Sequence, residues 1–361
     1  MLVDDSAVIR GLTARWLESD SGIKVVASVG GGEQALISVR RTKPDVVVLD
    51  IEMPGMDGMT LLPKLLELDP SLKIIMSSTL TKRNASISLE ALAAGAADYI
   101  PKPSSRAELH QATDFRRNLI IKVKALGPAR RARAPLDPAQ RAPSEAPAPG
   151  PVAGRGAGAI RLRKASLIRP RALAIGSSTG GPKALFILFE YLRNSITLPI
   201  FITQHMPPMF TAILADNLRR VSGAPCAEAR EGEEVKDGHI YVAPGDHHMI
   251  VVSGDKARSI HLNQDPPVHY CRPAVDPMFE SLASVFDGLI LGVVLTGMGS
   301  DGSNGARRLV QAGGTIIAQD EATSVVWGMP GAVAQDGVCS AVLPLDEIGP
   351  AIARLVSGGQ A

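Results

Sequence analysis

The chain has 361 residues, of which 45% are hydrophobic and only 4% aromatic, with a net charge of +2. That length suggests two ordinary domains with cores of Val, Ile, Leu, Ala and Met, and so small a charge gives no global reason to expect nucleic acid or membrane as a partner. Three scattered cysteines (Cys226, Cys271, Cys339) argue against a disulfide framework or structural zinc; no apolar run approaches the roughly 18 residues that span a bilayer, and "MLVDDSAVIR" has no basic segment followed by an apolar stretch of the signal-peptide kind, so a soluble, cytoplasmic protein is expected.

Residues 1–124 alternate short apolar strands with helical segments. "KVVASV", "DVVVLD", "KIIMSS" and "ADYIPKP" read as strands, being short and rich in apolar residues. "SAVIRGLTARWLES", "GEQALISVRRT", "MTLLPKLLEL" and "NASISLEALAAG" have helical spacing, and "SSRAELHQATDFRRNLIIKVKAL" closes the unit. This alternation predicts a parallel sheet with helices on both faces. Asp4 and Asp5 follow the first strand, Asp50 ends the strand "DVVVLD", and Lys102 ends "ADYIPKP". In a parallel sheet these carboxyl-terminal ends share one edge, where ligands bind. Three carboxylates there suit a hard cation such as Mg²⁺, and a lysine opposite can neutralise a phosphoryl oxygen. Ser78, ending "KIIMSS", could donate to the same oxygen.

"VDDSAVIR", "LDIEMPGMDG", "MSST" and "AADYIPKP" together resemble a bacterial response-regulator receiver domain of the flavodoxin-like kind. The resemblance implies that Asp50 accepts a phosphoryl group from a histidine kinase. It also implies that Asp4, Asp5, Asp50 and the backbone carbonyl of Glu52 hold Mg²⁺. Ser78 and Tyr99 would form the switch pair, and Lys102 would contact the phosphoryl group. Receivers ordinarily carry several more residues before "LVDD", so the first strand is expected to be short.

Residues 125–168 change in composition. "GPARRARAPLDPAQRAPSEAPAPGPVAGRGAGA" has no aromatic residue and almost no large aliphatic one. Such a stretch cannot bury enough apolar surface to offset its ordering entropy, so a flexible linker is expected. Its arginines lack interleaved aromatics for stacking on single-stranded RNA.

From Arg169 to Ser357 the α/β alternation resumes, predicting a second doubly wound sheet. "HIYVAPGDHHMIVVS" reads as a hairpin. The turn "IGSSTGGPK" could serve three chemistries. A P-loop requires lysine where Pro182 stands, and the dinucleotide pattern G-x-G-x-x-G is absent. The nucleophile turn G-x-S-x-G fits Gly176-Ser177-Ser178-Thr179-Gly180, between a strand and a helix. Ser178 is its central residue, and the helix N-terminus beyond it favours developing negative charge. The competing reading is a plain turn of small residues.

A serine nucleophile needs a base and an orienting group. His205 ends the strand "PIFITQH" and is the best-placed histidine. His239 and His261 sit in strands among apolar neighbours, and His247 and His248 in a turn; His269 could line the cleft. Asp301, in "LTGMGSDGS", can orient the base, with Asp276 and Asp320 as rivals. Backbone amides near Met298 could hold an oxyanion.

"AIGSSTGGPKAL", "TQHMPPMFT", "CRPAVDPMFESLA", "LTGMGSDGSNGARRLVQAGG" and "AQDEATSVVWGMPGAV" resemble the catalytic domain of the chemotaxis protein methylesterase family. The resemblance implies a Rossmann-like esterase domain with Ser178 as nucleophile, His205 as base and Asp301 as its orienting partner. Thr179 would lie beside the nucleophile, and the Met298 amide would help hold the oxyanion. Substrates would be glutamate γ-methyl esters of methyl-accepting chemoreceptors, with glutamine deamidation by the same chemistry and no cofactor. A transcriptional regulator is the contrasting reading, but the second domain has no evident helix-turn-helix segment and is not basic.

Overall fold

The computed structural model describes residues 1–79, 81–102, 113–133, 160–195, 197–254 and 257–358. Its first sheet contains β1 (Leu2–Val3), β2 (Ser28–Val29), β3 (Val46–Asp50), β4 (Lys73–Thr79) and β5 (Asp98–Lys102). Helices α1 (Ala7–Glu18), α2 (Gly32–Thr42), α3 (Gly58–Leu68) and α4 (Lys82–Ala93) alternate with these strands, and α5 (Thr113–Arg133) follows. The strand order is β2-β1-β3-β4-β5, all parallel. The order reverses between β1 and β3, so the ends of these strands open the crevice where α/β sheets bind ligands.

Alternate residues of the strands feed opposite layers, as a period of two requires. Val47, Leu49, Ile74 and Met76 pack in one cluster with the helices α2, α3 and α4. Leu2, Val46, Val48 and Ile75 pack with Leu17 of α1 and with Leu119 and Leu126 of α5. Strand β1 is two residues long, and the Met1 ammonium donates to the Val46 carbonyl at 2.8 Å. Burial pushes this amino group down to about 6, against the opposing charge of Asp45.

The second sheet has seven parallel strands in the order β14-β13-β12-β6-β7-β9-β8. These are β6 (Ala172–Ser177), β7 (Ile200–Gln204), β8 (Cys226–Glu228), β9 (Ile240–Val242), β12 (Ile290–Val294), β13 (Thr315–Gln319) and β14 (Ala341–Leu343). Helices α6 (Gly181–Tyr191), α7 (Phe210–Ser222) and α11 (Leu345–Ser357) contribute to the layer on one face. Helices α8 (Val275–Val285), α9 (Ser303–Gln311) and α10 (Met329–Gln335) cover the other. The chain enters at β6, builds outward through β7, then returns to the other side at β12. The switch point therefore lies between β6 and β12.

Three boundaries differ from the sequence reading. The hairpin is β10 (His248–Ser253) with β11 (Arg258–Asn263), and β9 belongs to the large sheet. The apolar "IYV" of β9 pairs in parallel on both sides, so "APGD" leads out of the sheet instead of turning a hairpin. Helix α5 continues to Arg133, beyond the expected boundary at 124. Residues 160–168 are not linker-like throughout: Arg163 N–H donates to Cys339 O, Ser166 N–H donates to Thr315 Oγ1, and Ala165 packs on the core. Residues 103–112 and 134–159, which include the start of the expected closing helix and most of the expected linker, lie outside the described residues.

The two sheets' layers meet. Helix α4 packs against α6 and α7, and one apolar cluster runs through both. Tyr99 of β5 stacks on Phe210 of α7, with ring centroids 4.4 Å apart and planes 13° from parallel. Arg117 of α5 lies over the Tyr270 ring, 4.9 Å from its centroid.

Candidate active site

At the first switch point Asp4 and Asp50 are buried, and Lys102 Nζ bridges them at 2.6 and 2.8 Å. Asp5 is exposed, yet its carboxylate lies within 4.8 Å of those of Asp4 and Asp50. Burial pushes the Asp50 carboxyl up to about 6, although Lys102 pulls the other way. One lysine against three carboxylates leaves excess negative charge on oxygen donors, the donor set that hard divalent cations select. Glu52 N–H donates to Asp50 Oδ1 at 3.4 Å. Ser78 is turned towards helix α4, its Oγ 3.1 Å from Ser88 Oγ. Tyr99 is buried in the contact with Phe210, and no hydrogen bond joins it to Ser78 among the described residues.

At the second switch point, register does much of the positioning. Ser177 of β6 pairs with Gln204 of β7, and His205 N–H donates to Ser177 O at 3.1 Å. Ser178 and His205 therefore follow as facing residues at the ends of adjacent strands. Gly180 has φ +79°, and a Cβ there would meet Val325 at 2.6 Å, so this turn into α6 requires glycine. Gly297, after β12, passes so close that a Cβ would lie 2.9 Å from that of Ser178. Ser178 N–H donates to Thr296 O at 3.1 Å, tying the nucleophile turn to the β12 loop.

Asp301 is 1% exposed and accepts His205 Nε2 at 2.7 Å. It also accepts the N–H groups of Val275, Asp276 and Gly302 at 2.6, 3.0 and 2.9 Å. Two of these amides open helix α8, whose N-terminus favours a carboxylate. Burial alone would raise the Asp301 carboxyl; the hydrogen bond and charge of His205, with these amides, outweigh it and hold it below its ordinary value. With Nε2 committed to Asp301, Nδ1 is the ring nitrogen left to take a proton. Burial disfavours charge on the His205 ring, but the Cys271 sulfur and Asp301 outweigh it and push the ring up to about 10.

The arrangement can therefore supply a serine, a histidine and a buried orienting carboxylate. Ser178 Oγ forms no hydrogen bond with His205 among the described residues, and His205 interacts instead with Cys271. Thr179 donates its hydroxyl to Asp98 Oδ2 of β5 at 2.7 Å. Met298 packs against the apolar cluster that includes Ile100 and Leu119, and its N–H has no protein partner among the described residues. Residues from the first sheet thus lie directly on the second site.

The rival acids and histidines have other occupations. Asp276 accepts Gly305 N–H at 2.7 Å and faces His269 at 3.5 Å. Asp320 caps a turn through Thr323. His248 accepts from or donates to backbone groups of Ala274 and Pro266. Two site residues escaped the sequence reading. Cys271 lies in an irregular loop and reaches His205 only through folding. Gln204 was legible only as the neighbour of His205, although its position at a strand end facing Ser177 marks it.

Comparison with known proteins matches two parts of the chain to known families. Residues 173–352 match the family model of the CheB methylesterase, and residues 1–114 that of the response regulator receiver domain. A "Protein-glutamate methylesterase/protein-glutamine glutaminase 1" of Paramagnetospirillum magneticum is 52% identical, over 99% of this chain and 96% of its own length. A "Protein-glutamate methylesterase/protein-glutamine glutaminase" of Azospirillum brasilense is 54% identical, over 99% of this chain and 92% of its own. The crystal structure of the Thermotoga maritima CheB methylesterase catalytic domain aligns with a TM-score of 0.51 and 39% identity, covering 52% of this chain and all of that one.

Proposed function

This chain belongs to the CheB methylesterase family, and we propose that it is a phosphorylation-activated protein-glutamate methylesterase that also deamidates protein glutamines. The observation that carries the reading is the buried His205–Asp301 pair, 2.7 Å apart, beside Ser178 at the switch point of the second sheet. In the proposed reaction Ser178 Oγ attacks the ester carbonyl while His205 takes its proton. Asp301 holds the ring and stabilises the imidazolium. The Met298 amide and the N-terminus of α6 face the developing oxyanion, with Thr179 beside the nucleophile. The tetrahedral intermediate collapses with loss of methanol, protonated by His205. Water, giving its proton to His205, then attacks the acyl-serine and frees the glutamate. With a glutamine side chain the leaving group is ammonia.

Asp50 is the proposed phosphoryl acceptor, with a chemotaxis histidine kinase as donor and chemoreceptors as substrates. Asp4, Asp5, Asp50 and the Glu52 carbonyl would hold Mg²⁺, which when bound neutralises phosphoryl charge. Lys102, already between Asp4 and Asp50, would pair with the phosphoryl oxygens, and Ser78 with Tyr99 would carry the response outward. The docked first domain covers the esterase site through Asp98, Tyr99 and Arg117, which supports inhibition in the unphosphorylated chain. No helix among the described residues is long and apolar enough to cross a membrane, and a cytoplasmic location fits receptor domains reached from that side. The test is methanol release from methylated receptor by wild type and Ser178→Ala. Loss of turnover in Ser178→Ala, with Asp50 phosphorylation intact, supports the assignment; turnover that persists contradicts it.

A further inference from the structure

Gln204 has no part in the chemistry above, yet the residue is 2% exposed and both ends of its carboxamide are hydrogen-bonded. Its Oε1 accepts the Ser177 hydroxyl at 2.7 Å. Its Nε2 donates to Ser178 O at 2.9 Å and to His205 O at 3.3 Å. Both carbonyls can only accept, so the NH₂ group must face them and Ser177 must donate. One side chain therefore ties the backbone of the candidate nucleophile to that of the candidate base.

The register explains why this tie matters. Ser177 and Gln204 are the last paired residues of β6 and β7. Successive side chains of a strand point to opposite faces. Ser178 and His205 thus point away from the Ser177–Gln204 pair, which sits behind them. The last backbone bond between the two strands is His205 N–H to Ser177 O. Beyond it, among the described residues, the Gln204 amide alone hydrogen-bonds both turns. Helix α6 closes the site from behind, since a Cβ on Gly181 would lie 2.0 Å from Gln204 Oε1.

We propose that Gln204 is a positioning residue that fixes the separation of Ser178 and His205. The inference rests on the esterase reading. A misplacement of about 1 Å between reacting groups can cost about a hundredfold in rate, and a lost alignment of this kind lowers kcat without weakening substrate binding.

The experiment compares full-length wild type, Gln204→Glu, Gln204→Met and Ser177→Ala, each activated by a small phosphodonor, on methylated receptor across pH. Gln204→Glu and Gln204→Met are expected to lower kcat by roughly 10- to 100-fold with KM within about twofold. Ser177→Ala keeps both donor contacts and is expected to stay within about threefold of wild type. In Gln204→Glu the introduced carboxylate faces two carbonyl oxygens. As pH falls it takes up a proton and regains one donor, so its kcat relative to wild type recovers. Gln204→Met shows no such recovery. The near-isosteric Gln204→Glu keeps the test standing if Gln204→Met does not fold. Wild-type kcat in both Gln204 variants, a loss confined to KM, or no acid recovery in Gln204→Glu overturns the proposal. Wild type run in parallel separates the two failures: no methanol from wild type denies the esterase reading, whereas active wild type with unaffected variants denies only the role of Gln204.

Discussion

His205 cannot accept a proton from Ser178 while it already carries one. Its ring is pushed up to about 10 despite burial, by Cys271 and Asp301, which favours the protonated ring at neutral pH in the docked form. Methanol release by the unphosphorylated chain is therefore expected to climb as pH rises towards about 10. Cys271→Ser removes the sulfur's contribution and should move this rise to lower pH. Each unit of displacement increases the neutral fraction at pH 7.5 about tenfold. A pH profile of basal turnover for both proteins checks this, and superimposable profiles would contradict it. The linkage to stability has opposite signs for the two partners. His205 is raised above its unfolded value of 6.5, so its contribution is complete below 6.5 and is lost as pH rises through about 10. Asp301 is lowered from 3.8, so its contribution is present above 3.8 and is lost as pH falls through the depressed value. The turn that carries Ser178 was legible as a strand–turn–helix junction because glycines bracket it. Cys271 was not, because no local pattern reports that an irregular loop folds back onto a strand end.

At the scale of elements, both sites sit where strand order reverses, and that placement followed from the alternation of β-branched runs with helical segments. What the sequence could not give was the partner of each strand. "IYV" is equally apolar in a hairpin or inside a parallel sheet, and only pairing with β7 and β8 decides it. The face-to-face meeting of α4 with α6 and α7 was likewise hidden, since an amphipathic helix does not state which neighbour covers it. The stack of Tyr99 on Phe210 gives this contact an aromatic anchor, worth about 0.5–1.5 kcal/mol beyond the area it buries. Tyr99→Leu keeps an apolar side chain but loses the stack. It is expected to raise the unphosphorylated esterase rate by roughly two- to tenfold, measured as methanol release without phosphodonor. An unchanged basal rate would show that the stack does not hold the domains together.

At the scale of the molecule, the proposed account makes the first domain a plug, because its edge strand reaches the candidate site: Asp98, which binds Thr179, also pairs with Lys122 of α5. The linker expected between the domains was read from composition, and composition misplaced both of its ends. Residues 160–168 carry Ile160, Leu162, Ala165, Leu167 and Ile168 around Arg161, Arg163 and Lys164 with neither helical nor strand periodicity sustained, so no local pattern marks a folded segment, yet bonds to Cys339 and Thr315 anchor it. A catalytic fragment starting at Ile160 is thus expected to keep a higher Tm than one starting at Arg169, by several degrees in thermal unfolding. Equal Tm values would show that these contacts add nothing. Either fragment, freed of the plug, should release methanol faster than the unphosphorylated full chain.

The most direct test of the account is methanol release from methylated receptor by the full chain, with and without a small phosphodonor and Mg²⁺, beside Ser178→Ala and Asp50→Asn. The account expects slow release from wild type that rises with phosphodonor, no rise in Asp50→Asn, and none at all in Ser178→Ala. Release that is indifferent to phosphodonor, or that survives the loss of Ser178, would contradict it.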